Sequence, residues 1–354
     1  MPLNLERRIV YSMPEPESIT SIELQVPCGS DRAPLGATLT LPAKPRACAL
    51  ILQGSGPHDR DGAMPAFNFR STLYKRLAHE LGTRFGIACL RYDKRGHDLP
   101  ADAPRDYSLV ERLQDAASAF LILESRAEIA ALPRFLIGHS EGGMLAARLG
   151  WFPGLIGRHE SRVVRENGSS RLSGVISLTA PQGNLFFLNH ARARLLAGSN
   201  VPGVAAKGQA ALEYFDSLER MFRAKPRTSP SEFLQFANAY RDKGFAGWES
   251  YFWLREHWLG KESYGDPTQT DLPVPDGHLP GGIPMLVVQG GRDARLPDDN
   301  PKKWEEWCAA RKLASYLLIP DMGHDLNDAR RKAFVLDESL LTGIGDWIEK
   351  QVQG

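Results

Sequence analysis

The chain of 354 residues is 42% hydrophobic and 24% charged, the ordinary composition of a soluble globular protein, which excludes a collagen-like, coiled-coil or wholly disordered chain. Its 43 Lys and Arg against 42 Asp and Glu leave a net charge of +1, so nothing in the balance attracts phosphate and no nucleic-acid partner is expected. The apolar runs are too short for a membrane span, which needs about 20 residues.

Cysteine usage and the N-terminus bear on the cellular compartment. No apolar run follows the two adjacent arginines near the N-terminus, so no signal peptide is expected. The four cysteines are dispersed without a C-x-x-C pair, and two of them lie in apolar runs, which predicts buried free thiols in a reducing compartment. We therefore predict a cytoplasmic protein; the alternative is an exported chain from which a signal has been removed.

Short β-forming apolar runs followed by helical patterns recur along the first half of the chain. They predict an α/β fold, with a mostly parallel central sheet flanked by helices. Residues 19–27 and 35–41 predict an antiparallel opening pair, and the continuous apolar run at 47–53 predicts a strand covered on both faces. Helices are predicted over about 70–82 and 108–130, and strands over 87–92, 134–137 and 174–179.

The strand pattern stops at Pro181 and resumes near Met285, with helical periodicity and a Pro-, Gly- and Asp-rich tether between them. The later elements are predicted as strands at 285–289 and 315–319 and as helices at 301–312 and from about 336. We therefore predict a core domain of residues 1–180 and 284–354, with an inserted helical cap, or lid, and its tether at residues 181–283.

The segment Gly138-His139-Ser140-Glu141-Gly142 has the pattern G-x-S-x-G between a predicted strand and a predicted helix. A serine at such a turn protrudes from a strained backbone, and side chains two positions before or after it would clash across the turn. Glycine at 138 and 142 avoids that clash. The pattern predicts a nucleophile elbow, with Ser140 as the nucleophile.

A serine hydroxyl needs a neighbouring base, and in this arrangement the acid and then the histidine follow the serine in the chain. His324 directly follows a late predicted strand and is the predicted base, while Asp293 follows the strand before it and is the predicted acid. Asp298 and Asp299 are predicted to cap the next helix. Solvated or structural roles are predicted for the remaining downstream histidines, which are His159, His190, His257 and His278.

Acyl transfer also needs two preorganised backbone donors for the developing oxyanion. One predicted donor is the N–H of Glu141, directly after the nucleophile. The other is the N–H of Ser55, which lies between two glycines in the turn after the strand at 47–53.

Charged residues beside these motifs have a structural interpretation. The segment His58-Asp59-Arg60-Asp61 predicts a charged loop with internal salt bridges, because no further ligands converge on it as a metal site requires. Arg91, Asp93 and Arg95 likewise predict a loop anchor. No metal is predicted, and the lack of a G-x-G-x-x-G or P-loop pattern means that no cofactor is predicted either.

The elbow, the acid loop GGRDARLP and the histidine loop MGH resemble the α/β-hydrolase superfamily. More narrowly, LGATLTLP, QGSGPHDRDG, RYDKRG and GHSEGG resemble bacterial carboxylesterases that carry a GSGPxDRDG stretch, which are related to dienelactone hydrolases and prolyl-oligopeptidase-like enzymes. The resemblance runs from Leu35 to Ile348 and implies the same triad and the same two oxyanion donors. The sequence departs from it at Gln53, where many relatives have histidine, and at His97 and Asp98, where small residues are common.

These observations predict a serine carboxylic-ester hydrolase that acts through an acyl-enzyme on a small to medium, apolar acyl ester. The same triad would also serve a peptidase or amidase, a thioesterase or an acyltransferase, and a non-catalytic ligand-binding protein on this scaffold is the remaining alternative. Aromatic residues of the cap are candidates for the pocket, but those at 248, 251, 252 and 253 are too closely spaced on a helix to face one way. The substrate-binding residues and the oligomeric state are not predicted.

Overall fold

The computed structural model describes residues 19–28, 33–100, 109–151, 172–182, 185–225, 235–236, 239 and 283–353. The strands are β1 (Ile19–Val26), β2 (Leu35–Pro42), β3 (Ala47–Leu52), β4 (Ile87–Tyr92), β5 (Arg134–His139), β6 (Leu172–Leu178), β7 (Met285–Gly290) and β8 (Ala314–Ile319). The helices are α1 (Leu73–Phe85), α2 (Leu109–Ser125), α3 (Glu141–Trp151), α4 (Leu185–Ala197), α5 (Pro202–Ala224), α6 (Asn300–Ala309) and α7 (Glu338–Gln353).

The strands form one sheet in the order β1-β2-β4-β3-β5-β6-β7-β8. β2 pairs antiparallel with both β1 and β4, and the remaining pairs are parallel. The predicted α/β class, the mostly parallel sheet and the antiparallel opening pair are therefore confirmed. Because the carboxyl ends of parallel strands meet at one edge, the loops after β3, β5, β7 and β8 are brought together there.

Helices cover both faces of the sheet. Every residue of β3, β4, β5 and β7 is buried, as expected for strands enclosed on both sides. On one face, Leu77 of α1 and Ile344 of α7 pack in a cluster with Ile51 of β3. Successive side chains of a strand alternate between faces, so Leu52 points to the other side, where it lies near Leu145 of α3.

Three predicted helices have different bounds in the structure, and the one predicted over 301–312 spans Asn300–Ala309. The helix predicted over 70–82 runs from Leu73 to Phe85 and ends because Gly86 takes a left-handed φ of 67° and donates its N–H to the Gly82 carbonyl. The helix predicted to reach residue 130 ends at Ser125. No helix in the described ranges is both long and apolar enough to cross a bilayer.

The chain divides into two compact units. The first comprises Met1–Asp98, Arg112–Ala180 and Asp276–Gly354 and contains the sheet. The second comprises Leu99–Glu111 and Pro181–Pro275 and contains α4 and α5. It thus includes residues 99–111, which the sequence analysis assigned to the core. The cap at 181–283 stays a prediction, because most of residues 226–282 lie outside the described ranges.

Trp347 of α7 tests the packing of this helix on the sheet. Its ring is 7% exposed, lies 6.1 Å from the ring of Phe135 in β5 and covers Gly174 of β6. We expect Trp347→Ala to lower the free energy of unfolding by about 3–5 kcal/mol, because the cavity cannot close fully. In urea unfolding, the control Leu318→Ala, at an edge-strand position that is 45% exposed, should cost less than about 1 kcal/mol. Equal losses in both variants would contradict this packing.

Candidate active site

The predicted nucleophile, Ser140, lies at the turn between β5 and α3. Its φ is 55°, in the left-handed region that side-chain-bearing residues rarely adopt, and such strain concentrates at functional sites. The Ser140 N–H donates a hydrogen bond to the carbonyl oxygen of Leu178 at 2.8 Å, which ties the turn to the end of β6. The structure thus places Ser140 in a strained strand-to-helix turn.

Gly138 and Gly142 are positions where this turn leaves no room for a side chain. A Cβ at Gly138 would lie 2.0 Å from the carbonyl oxygen of Gly142, and a Cβ at Gly142 would lie 2.1 Å from the carbonyl oxygen of Leu52. Both obstacles are backbone atoms, which cannot turn aside as a side chain can. Close approach therefore requires the two glycines, whereas the positive φ belongs to Ser140.

The structure brings Ser140, His324 and Asp293 into one hydrogen-bonded line. The His324 Nε2 lies 3.1 Å from the Ser140 Oγ, and the His324 Nδ1 lies 2.7 Å from the Asp293 Oδ2. Asp293 follows β7 and His324 follows β8, so neighbouring parallel strands deliver both side chains to the same edge. These distances match those of a nucleophile, a base and an orienting acid.

The Asp293 carboxylate is fixed on both oxygens. While the Oδ2 faces His324, the Oδ1 accepts hydrogen bonds from the N–H groups of Arg295 at 2.9 Å and Leu296 at 3.3 Å. Burial raises the pKa of Asp293, but the hydrogen bond and charge of His324, together with these two backbone donors, outweigh burial and lower that pKa below its ordinary value. The group is therefore a carboxylate at neutral pH, as an acid that orients an imidazole must be.

The backbone at His324 is held by two side chains that the sequence analysis did not single out for this role. The His324 carbonyl oxygen lies 2.9 Å from the His139 Nε2 and accepts a hydrogen bond from the Thr179 hydroxyl at 3.1 Å. The His139 Nδ1 lies 2.9 Å from the hydroxyl of Tyr74 in α1. That hydroxyl accepts a hydrogen bond from the Gly54 N–H at 2.7 Å.

These contacts define the tautomer of His139. A carbonyl can only accept, so the His139 Nε2 carries the proton and donates to the His324 carbonyl. The Nδ1 is then the acceptor for the Tyr74 hydroxyl. Burial, together with the charge of His324, lowers the pKa of His139 to about 3, so the ring is neutral at pH 7. One chain of hydrogen bonds therefore runs from the loop after β3, through the elbow, to the histidine loop.

Ser55 lies in the loop after β3, between Gly54 and Gly56. Its carbonyl oxygen lies 2.8 Å from the Nε2 of His58, while the preceding carbonyl, that of Gly54, accepts a hydrogen bond from Lys94 at 2.7 Å. The Ser55 N–H has no hydrogen-bond partner among the described residues. It is therefore a backbone donor beside two engaged carbonyl groups.

Three charged side chains are buried beside this loop. Lys94 follows β4 and lies 3.4 Å from the carboxylate of Glu141, which also contacts the guanidinium of Arg112 in α2. The side chains of Lys94, Glu141 and Arg112 are 6%, 1% and 6% exposed. The sequence predicts a role only for the backbone N–H of Glu141, because no local pattern pairs its side chain with residues 47 and 29 positions earlier.

The anchoring role predicted for Arg91, Asp93 and Arg95 is confirmed, whereas the salt bridges predicted within residues 58–61 run instead from this loop to other segments. Asp59 accepts three backbone N–H hydrogen bonds from its own loop. The anchoring ion pairs join Arg60 to Asp93, Arg91 to Asp61, and Arg95 to Asp115. No cluster of three or more His, Cys, Asp or Glu is placed to hold a metal ion in the part of the chain that the structure describes.

The other candidates from the sequence lie elsewhere. Asp299 occupies the N-cap of α6, as predicted, but its carboxylate pairs with Lys303 instead of capping a backbone N–H. His190 lies in the second unit and pairs with Asp216 at 2.6 Å. The remaining candidates lie outside the described residues, and they are His159, His257, His278, Trp248, Tyr251, Phe252 and Trp253.

A serine on a strand-to-helix turn, with an acid and a histidine on loops after later strands of a mostly parallel sheet, is the arrangement of α/β-hydrolases. Residues 50–338 match the model of the Alpha/beta hydrolase family, and the chain belongs to that family. The predicted superfamily resemblance is thus confirmed, while the narrower resemblance through the GSGPxDRDG stretch stays a prediction.

Relatives of known name are distant. Esterase EstD from Thermotoga maritima is 24% identical over 352 residues, which cover 96% of this chain and 71% of that protein. Among solved structures, a bacterial heroin esterase has a TM-score of 0.55 at 15% identity, covering 96% of this chain and 86% of that one. A proline iminopeptidase from Mycobacterium smegmatis has a TM-score of 0.51 at 16% identity, covering 94% and 99%. The two solved structures share the fold.

Tyr74→Phe tests the buried hydrogen-bond chain. The variant leaves both the Gly54 N–H and the His139 Nδ1 without a partner, so we expect the free energy of unfolding to fall by about 1–3 kcal/mol. Tyr92→Phe is the control, because Tyr92 is also a buried residue and its hydroxyl has no hydrogen-bond partner among the described residues. Chemical unfolding of both variants makes the comparison, and a loss no larger for Tyr74→Phe would contradict the chain.

Proposed function

We propose that the protein is a serine carboxylic-ester hydrolase. The observation that carries the proposal is the hydrogen-bonded line from Ser140 through His324 to Asp293, because a serine becomes nucleophilic only when a positioned base takes its proton. Membership of the Alpha/beta hydrolase family and the similarity to a protein named as an esterase support an ester as the substrate.

In the first half of the reaction, Ser140 attacks the acyl carbonyl while the Nε2 of His324 takes the hydroxyl proton. The Asp293 carboxylate holds the Nδ1–H and stabilises the imidazolium that forms. The N–H groups of Ser55 and Glu141 are the proposed donors to the tetrahedral oxyanion. When the intermediate collapses, the bond to the alcohol breaks, the alcohol leaves with the proton from His324, and the acyl group stays on Ser140.

In the second half, His324 takes a proton from water as the water attacks the acyl-enzyme. Collapse of this second intermediate returns the proton to the Ser140 oxygen and releases the carboxylic acid. Atoms balance as ester plus water giving acid plus alcohol, and none of these steps calls for a cofactor.

Residues of the proposed cap determine which acyl groups the site accepts. Residues 181–283 hold a dense set of aromatic side chains, and apolar pockets with a few polar groups are the usual form of small-molecule sites. We propose a small to medium, apolar acyl group on this basis. A series of p-nitrophenyl esters from acetate to long chains gives the measurement: activity that rises steadily with chain length would contradict a small or medium acyl group.

Ser140→Ala is the direct test of the nucleophile. Loss of the hydroxyl removes the covalent step, so we expect hydrolysis of p-nitrophenyl acetate to fall at least about a thousandfold. The control is Ser177→Ala, a buried serine that lies in β6 and should keep near-normal activity.

A fluorophosphonate probe should label wild type and Ser177→Ala but not Ser140→Ala. Hydrolysis by Ser140→Ala at the wild-type rate would overturn the proposal. Labelling of Ser140 without turnover of any ester would instead favour an amide, peptide or thioester substrate.

Asp293→Asn tests the acid. An asparagine keeps the shape but favours the wrong imidazole tautomer, so we expect kcat to fall by roughly 10⁴ with little change in KM. Asp298→Asn is the control, because Asp298 is an exposed carboxylate five residues away in the same loop region. A steady-state comparison in which both variants kept wild-type kcat would remove Asp293 from the mechanism.

A further inference from the structure

The buried cluster of Lys94, Glu141 and Arg112 does not fit a purely stabilising role. Burying an ion pair costs desolvation that its mutual attraction often fails to offset, so such a cluster is weak evidence for stability and a candidate for function. Burial lowers the pKa of Lys94 to about 8, with Glu141 opposing this shift and Arg112 adding to it. The ammonium is therefore held charged at neutral pH where desolvation disfavours it.

The Lys94 ammonium is aimed at one peptide group. Its Nζ donates to the Gly54 carbonyl oxygen at 2.7 Å, a shorter distance than the 3.4 Å to Glu141. The Gly54 carbonyl and the Ser55 N–H belong to the same peptide unit, and no peptide bond in the described residues is cis. In a trans peptide the carbonyl and the N–H point in opposite directions. A cation fixed on the Gly54 carbonyl therefore directs the Ser55 N–H away from itself.

The Ser55 N–H is left as a donor available to a ligand, while the groups that precede and follow it in the chain are engaged. The Gly54 N–H is engaged by Tyr74, and the Ser55 carbonyl faces His58. A hydrogen bond from a cation to a carbonyl also polarises the amide, which strengthens the N–H of the same unit as a donor. Lys94 thus acts on both the direction and the strength of one backbone donor.

Glu141 links the second donor to the first. Its backbone N–H lies at the start of α3, directly after the proposed nucleophile, and its carboxylate pairs with Lys94. The side chain of one oxyanion donor residue therefore holds the cation that orients the other.

We propose that Lys94, held by the Glu141 carboxylate, is a positioning residue that orients and polarises the Gly54–Ser55 peptide so that the Ser55 N–H serves as an oxyanion donor. The inference rests on the proposed serine-hydrolase function and deepens it. Because the donor is needed where negative charge develops, Lys94 stabilises the transition state more than the bound substrate. Its removal should therefore lower kcat and leave KM nearly unchanged.

Lys94→Met is the primary test, since methionine keeps an unbranched apolar stem and removes the charge. We expect kcat for p-nitrophenyl acetate at pH 7 to fall about 10- to 100-fold, somewhat less than the loss of a donor itself, with KM within about twofold. The matched control is Arg91→Met. It removes a buried cation that pairs with Asp61 and lies near the same end of β4. It should keep kcat within about twofold, even where its melting temperature falls.

Lys94→Arg gives a second measurement that does not depend on losing the charge. Other titratable or charged groups face or lie near the ammonium, and these are Glu141 of α3, Arg112 and Asp115 of α2, Arg95 of the same loop, Tyr92 of β4 and His58. As the pH rises through about 8, Lys94 loses its proton and the peptide loses its cation, so wild-type kcat should fall on the alkaline side. Arginine stays charged throughout, so Lys94→Arg should lack this alkaline fall.

Three results would overturn the inference. They are a wild-type kcat in Lys94→Met, a kcat loss shared equally by Arg91→Met, or an unchanged alkaline fall in Lys94→Arg. Each of these results counts only after Ser140→Ala has been shown to abolish the hydrolysis by the wild-type protein. If wild-type protein shows no Ser140-dependent hydrolysis, the proposed function fails instead, so the two failures are distinct.

Discussion

The close approach of α3 to the end of β3 is the constraint on which the rest of the site depends. Gly142 lies so near the Leu52 carbonyl that a single added carbon would overlap it. The helix that begins after Ser140 is thereby set against the strand that leads into Gly54 and Ser55. Strain at Ser140 is the local cost, and the surrounding buried sheet over-determines the turn enough to hold it.

Buried polar groups then join loops that are far apart in the sequence. The contact of His139 with the His324 carbonyl spans 185 positions, and that of Tyr74 with His139 spans 65. Each group in this chain satisfies its neighbour, so removing one leaves another unpaired in a low dielectric. The loops after β3, β5 and β8 therefore behave as one hydrogen-bonded unit, with the neutral His139 ring at its centre.

The candidate roles of residues that lie in loops after predicted strands could be predicted from the sequence. Ser140 follows β5 directly, Asp293 and His324 lie in the loops that follow β7 and β8, and the order of the strands sets which residues meet. Tyr74 and Lys94 lack such a signal. Tyr74 lies on an amphipathic helix, where the sequence predicts an aromatic residue to be part of the core, and Lys94 lies in a charged loop. Their roles depend on the backbone atoms to which they hydrogen-bond, and the packing of the whole sheet decides which atoms those are.

Because His324 follows an edge strand, we expect the activity to be lost at a lower temperature than the fold. Among the described residues, β8 pairs with β7 alone, and several of its side chains are partly exposed, so local opening there costs less than opening the buried centre of the sheet. Ser140, by contrast, is attached to a strand enclosed on both sides. On warming, we expect opening of β8 to break the hydrogen bonds of the His324 carbonyl to His139 and Thr179, so that His324 separates from Ser140 while most of the sheet is still intact.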